Sequence, residues 1–157
     1  MGMKIFRGGI LSAAFVFISL EGSIVAHAKE QKLAREKVPV EVLSAFQKAY
    51  PQAVARGYEE EVKHGKTFYE IESKDGETNR DILFSPAGEI VEIEEMIQKT
   101  EIPQIIQQAS AAKFPQAEIR RAEKIARNGN TYYEIEFKQG EKHFSKEFDA
   151  QGAFVKE

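Results

Sequence analysis

Two tetrapeptides carry the residues best suited to chemistry: Tyr69-Glu70-Ile71-Glu72 and, 64 positions later, Tyr133-Glu134-Ile135-Glu136. Carboxylates at positions i and i+2 of a strand share one face. Their spacing falls within the roughly 5–10 Å that a paired-carboxylate hydrolase uses. Such a pair also needs a pocket that drives its two pKa values apart. No histidine or serine recurs around the two Glu-x-Glu pairs as an orienting partner, and an open strand face is the simpler reading. Catalysis is not expected.

Metal chemistry is the next possibility for so many acids. Calcium takes 6–8 oxygen ligands and favours loops of Asp and Asn around a glycine. "SKDGETNRD" (Ser73 to Asp81) resembles such a loop, but "KQGEKHFS" at the corresponding place has lost the acids. Glu59 to Glu61 alternate between faces and do not converge. His64 and His143 are not counterparts in the two copies, and there is no cysteine to complete a zinc site. No Gly-x-Ser-x-Gly occurs, and no glycine-rich loop opens a helix. Neither a metal nor a cofactor is expected. A calcium or small-ligand site on the acidic surface stays open as the alternative to a purely protein-binding role.

The elements that position these residues are themselves written twice. Val38–Ile93 aligns without a gap on Ile102–Glu157, with 19 of 56 pairs identical. The shared positions include Pro39/Pro103, Pro51/Pro115, Gly65/Gly129, Gly76/Gly140, Phe84/Phe148 and Gly88/Gly152. A constant offset of this kind reads as a tandem duplication. In each copy a proline opens an amphipathic helix and another closes it. The apolar stripes are Val42, Leu43, Phe46 and Tyr50, then Ile105, Ile106, Ala109 and Phe114. Three turn signals follow: His64-Gly65 or Asn128-Gly129, Asp75-Gly76 or Gln139-Gly140, and the loops holding Gly88 or Gly152. Each copy therefore reads as a helix and a four-stranded antiparallel meander. The fold class is α+β, with the helices on one face of the sheet.

Alternation along the strands divides the candidate residues between faces. Thr67, Tyr69 and Ile71, like Thr131, Tyr133, Ile135 and Phe137, belong beneath the helices. Phe68, Glu70 and Glu72, with Tyr132, Glu134 and Glu136, then stand on the open side as the expected binding residues. An aromatic edged with carboxylates is a protein-binding composition.

Composition narrows the setting. Lys4 and Arg7, the apolar run Ile10 to Leu20, and the small residues around His27 in "AHA" read as a secretory signal peptide over residues 1–28, cleaved after Ala28. The apolar run is far short of a membrane span, and no later stretch approaches one. The remaining 129 residues carry 20 basic and 24 acidic groups, for a formal charge of −4. Without a basic footprint, nucleic acid is not an expected partner. Absence of cysteine excludes disulfides, thiol catalysis and a lipid-anchored form. Residues 29–37 form a polar lead-in with a preference for disorder, 38–96 the first repeat, 97–101 a connector and 102–157 the second repeat.

A helix ending in "AYPQA" or "KFPQA", a "YEIE" strand, and a close in "FSPAGEIVEIEE" or "FDAQGAFVKE" together resemble the PepSY-like family of bacterial envelope proteins. That family is similar to the β-lactamase inhibitory protein, and the resemblance covers Val38 to Glu157. It implies a saddle or continuous sheet of about eight strands whose concave side grips a protein, with one sheet or two both open, and a periplasmic or secreted location. It also implies a role as inhibitor or regulator of an envelope protein of peptidase type. This chain departs from the inhibitor in having no disulfides, and no inhibitory loop transfers residue by residue.

Overall fold

The structure, a computed structural model, describes residues 29–155; the expected signal peptide lies outside them. Eight strands form one antiparallel sheet in strict chain order. They are β1 (Lys29–Lys32), β2 (Val54–Lys63), β3 (Lys66–Asp75), β4 (Thr78–Phe84), β5 (Ile90–Ile97), β6 (Glu118–Arg127), β7 (Asn130–Gln139) and β8 (Lys142–Asp149). Helix α1 (Val40–Ala49) precedes β2, and α2 (Gln104–Lys113) lies between β5 and β6. The class is α+β.

Local chemistry explains the element ends. Pro39 and Pro103 cap their helices with φ near the value the proline ring imposes, −54° and −55°. Each helix stops one residue short of its second proline, at Tyr50 and Phe114. The β2–β3 and β6–β7 hairpins turn on His64-Gly65 and Asn128-Gly129, all with positive φ, as tight hairpins demand. Both β2 and β6 shift register once, between Ala55 and Gly57 and between Ile119 and Arg121. Those two bulges also lie 64 residues apart.

Register carries one face across the whole sheet: Tyr58, Ile71, Ile82, Ile93, Ala126 and Thr131 are successive partners. Both helices pack on this face. Val42 and Phe46 of α1 meet Ile71, Ile82 and Phe84. Ile106 of α2 meets Ala122, Ile135, Phe137 and Phe148. The two cores are filled differently. Where the first has Phe46 and Arg80, the second has Ser110 and Phe144. Phe144 stacks on Phe137 at 5.3 Å between centroids and meets Phe114 edge-on at 5.1 Å. An aromatic supplied by the helix in one half is thus supplied by a strand in the other.

Three expectations need correction. The lead-in is not disordered throughout: Lys29–Lys32 pairs with Glu59–Val62 as β1, and Arg35–Lys37 forms a 3-10 turn. Ile105 does not join the apolar stripe of α2. It is 47% exposed, because the face toward the sheet falls on Ile106 and Ser110. The second copy's fourth strand is reduced, among the described residues, to a bridge between Phe148 and Phe154. The eighth strand comes instead from the amino-terminal side, as β1.

Candidate functional site: the open sheet face

The face turned away from the helices is a field of carboxylates. Across β2, β3, β4 and β5 the register sets Glu59 opposite Glu70, Glu72 opposite Asp81, and Asp81 opposite Glu94. Across β6, β7 and β8 it sets Glu123 opposite Glu134 and Glu134 opposite Glu147. Like charges directly opposite one another on neighbouring strands are destabilising.

Basic groups relieve only some of this repulsion. Arg127 reaches Glu92 at 2.8 Å and Glu147 at 2.7 Å, Lys63 reaches Glu61 at 2.9 Å, and Arg121 pairs with Glu123. Among the described residues Glu59, Glu70, Glu72, Asp81, Glu94 and Glu134 make no ion pair. Burial and crowding keep protons on several of them. Glu94 is pushed up to about 9, first by burial and then by Glu123 and Glu92. Glu70 is pushed up to about 8 by burial and then by Asp81 and Glu59. Asp81 rises to about 6 through burial, Glu123 and Glu72, with Arg121 opposing. Glu59 and Glu134 are raised too, by burial first.

The residues expected from alternation all lie on this face. Phe68 stands opposite Glu61, Glu70 opposite Leu83, and Glu72 opposite Gly57 and Asp81. Tyr132 lies between Ile125 and Asp149, with the Arg127 guanidinium 4.7 Å from its ring centre. Leu83, also on this face, is buried among its charged neighbours. Sequence reasoning left out Glu94, Glu123, Arg121 and Arg127. Alternation around Ile93 in "VEIEE" was signal enough for Glu94. Arg121, Glu123 and Arg127 alternate in unbroken register back from the Asn128-Gly129 turn, beyond the bulge at Arg120, so the same count would have placed them.

Two local groupings have chemical potential. Carboxylate oxygens of Asp81, Glu94 and Glu123 lie within 4.8 Å of one another, from three adjacent strands. Arg121, Glu123, Glu134, Glu136 and Ser145 line a recess of about 10 Å³, room for about one water molecule. The Ser145 hydroxyl sits near enough to ease the charge on Glu134 but misses hydrogen-bond geometry. Its oxygen and Arg121 Nε line the recess without a protein partner. His143 joins Glu136 at 3.2 Å on the same face.

Comparison with known proteins places this architecture. A family model described as "Putative beta-lactamase-inhibitor-like, PepSY-like" matches residues 24–91 and again 67–156. No curated protein matches the sequence. Among solved structures, one titled "putative periplasmic proteins" from Bacteroides eggerthii superposes with a TM-score of 0.66 at 17% identity, covering 76% of this chain and 86% of that one. A DUF2874 family protein of Bacteroides uniformis superposes at 0.65 and 15% identity, covering 75% and 86%. A BLIP-like protein of Bacteroides fragilis superposes at 0.59 and 16% identity, covering 75% and 84%. At such identities the likeness concerns the fold alone. Among the described residues no helix is long and apolar enough to cross a membrane.

Proposed function

The chain belongs to this PepSY-like family, and on that premise we propose that it is an exported, non-catalytic binding module whose open sheet face holds a protein of the bacterial envelope. The signal peptide read over residues 1–28, cleaved after Ala28, would deliver it to the periplasm or the medium. The likeness to the Bacteroides eggerthii periplasmic protein supports the former. The 64-residue recurrence of caps, bulges and turns supports an origin by duplication of a helix and its following strands. One observation carries the binding role. The sheet keeps Glu59/Glu70, Glu72/Asp81, Asp81/Glu94 and Glu123/Glu134 directly opposed although such pairs cost stability. A face so crowded with carboxylates that Glu70 and Glu94 hold protons supports a role in binding a partner of opposite charge. The family relationship supports an enzyme of peptidase type as the partner, and inhibition or regulation as the outcome.

Affinity capture from envelope extract tests this reading, using residues 29–157 beside a Phe68→Ala/Tyr132→Ala variant. A partner held by the first and lost by the second is the expected result, and its identity separates inhibitor from scaffold. Equal capture by both removes the face from the account.

The grouping of Asp81, Glu94 and Glu123 supports a second reading, a calcium or small-ligand site. A cation bound only by the native state raises the melting temperature. Calcium chloride should then raise it in the wild type and not in Asp81→Asn. An unchanged melting temperature in the wild type rejects the ion.

A further inference from the structure

The two halves of the open face share a carboxylate frame but not its counter-charge. In the second half Arg121 leaves the β6 bulge, pairs with Glu123, and lines one recess with Glu134 and Glu136. Sixty-four residues earlier the equivalent bulge of β2 carries Gly57, while Glu59, Glu70 and Glu72 stand where Glu123, Glu134 and Glu136 stand later. Ser145 has Asp81 as its counterpart. The first half thus lacks one cation and gains one carboxylate at matching places in the register.

Resting on the binding role above, we propose that the first half docks a basic segment of the partner protein, one of whose arginines takes the part among Glu59, Glu70, Glu72 and Asp81 that Arg121 takes in the second half. Charge complementarity selects the occupant. Within this chain the same frame already accepts a guanidinium, that of Arg121 paired with Glu123, and a guanidinium's planar fork suits it to carboxylates. The acids are also spread along cross-strand rows, neighbours about 5 Å apart. A peptide laid across strands meets such rows better than a single ion does. At Gly57 the Glu72 carboxylate lies over the position where Arg121 carries its side chain in the second half, 2.8 Å from a Cβ built there.

The test is calorimetric titration of the purified protein with a short synthetic peptide of alternating arginine and alanine, and separately with calcium chloride. The peptide should bind, with affinity falling as salt rises. Gly57→Arg supplies the missing guanidinium from within. It should weaken binding by about tenfold or more, as should Asp81→Asn. Glu141→Gln, in the exposed turn between β7 and β8 and outside the open face, should leave binding unchanged. Gly57→Arg displaces only the far end of the Glu72 side chain; should it fail to fold, Asp81→Asn decides alone. Failure of the peptide to bind, or equal binding by Asp81→Asn, overturns the proposal. Calcium bound in place of the peptide, and lost in Asp81→Asn, overturns it in favour of the ion. A partner captured through Phe68 and Tyr132 while the peptide fails would sink this inference and leave the binding module standing.

Discussion

Arg127 donates to Glu92 at 2.8 Å across the β5–β6 seam, where the strands that follow α1 meet those that follow α2. Its second amino group donates to Glu147 at 2.7 Å, and the same guanidinium lies over Tyr132. Glu92 is 7% exposed, and among the described residues Arg127 is its one ion-pair partner. The corresponding position, Lys63, makes its ion pair with Glu61 on its own strand. The clasp is a property of the joined sheet, and it fixes how the two halves of the acidic face meet.

Arg127→Ala should therefore destabilise the fold by about 2 kcal/mol, less than a fully buried pair would lose because the guanidinium is partly solvated. Urea denaturation would show a lower midpoint at unchanged slope. Arg127→Lys retains a charge but not the two-pronged reach, and should fall between wild type and alanine.

Stability should decline as the solution becomes alkaline. Glu70 and Glu94 have folded pKa values of about 8 and about 9 against 4.5 in the unfolded reference. Between those limits the folded state holds protons that the unfolded chain has released, so stability falls with rising pH. The contribution is complete below about pH 4.5 and gone above about pH 9. The melting temperature should drop by about 5 °C or more across this window. Glu94→Gln, which mimics the protonated acid, should raise it near pH 8 and leave it unchanged below about pH 4. Equal curves for the two proteins would remove Glu94 from the explanation.

The hydroxyl of Ser110 is buried on α2 without a hydrogen-bond partner. An unsatisfied buried polar group is a net cost. Ser110→Ala should be neutral or stabilising by up to about 1 kcal/mol, a gain visible in thermal unfolding. A loss above that size would mean the hydroxyl is satisfied in solution.

Two glycines in the left-handed region should respond unequally to alanine. Gly76, at φ +59°, has nothing within 4 Å of a built Cβ, whereas at Gly88, at φ +81°, that atom falls 2.6 Å from the Glu41 carbonyl oxygen on α1. Gly76→Ala should cost about 1 kcal/mol of backbone strain. Gly88→Ala must also push the helix from the loop and should cost at least twice that. Chemical denaturation of the pair reads the difference directly.

Much of this molecule is legible before folding. Proline, glycine and alternation act within a few residues of themselves, so Pro39 and Pro51 bracket α1, Asn128-Gly129 turns a hairpin, and Glu70 and Glu72 share a face opposite Ile71. The same signals recur 64 residues on, at Pro103, Pro115, Gly129, Gly140 and Gly152. What it does not contain is the order in which strands come together. That Lys29–Lys32 adds a strand beside Glu59, that β5 pairs with β6 to make one sheet, and that Asp81, Glu94 and Glu123 converge from three strands are all non-local outcomes. So is the proton held by Glu94, which comes from desolvation and neighbouring charge rather than from its own chemistry. Side-chain direction is decided by the next bond along the backbone. Which carboxylates share a field is decided only when the sheet closes over distances the sequence does not measure.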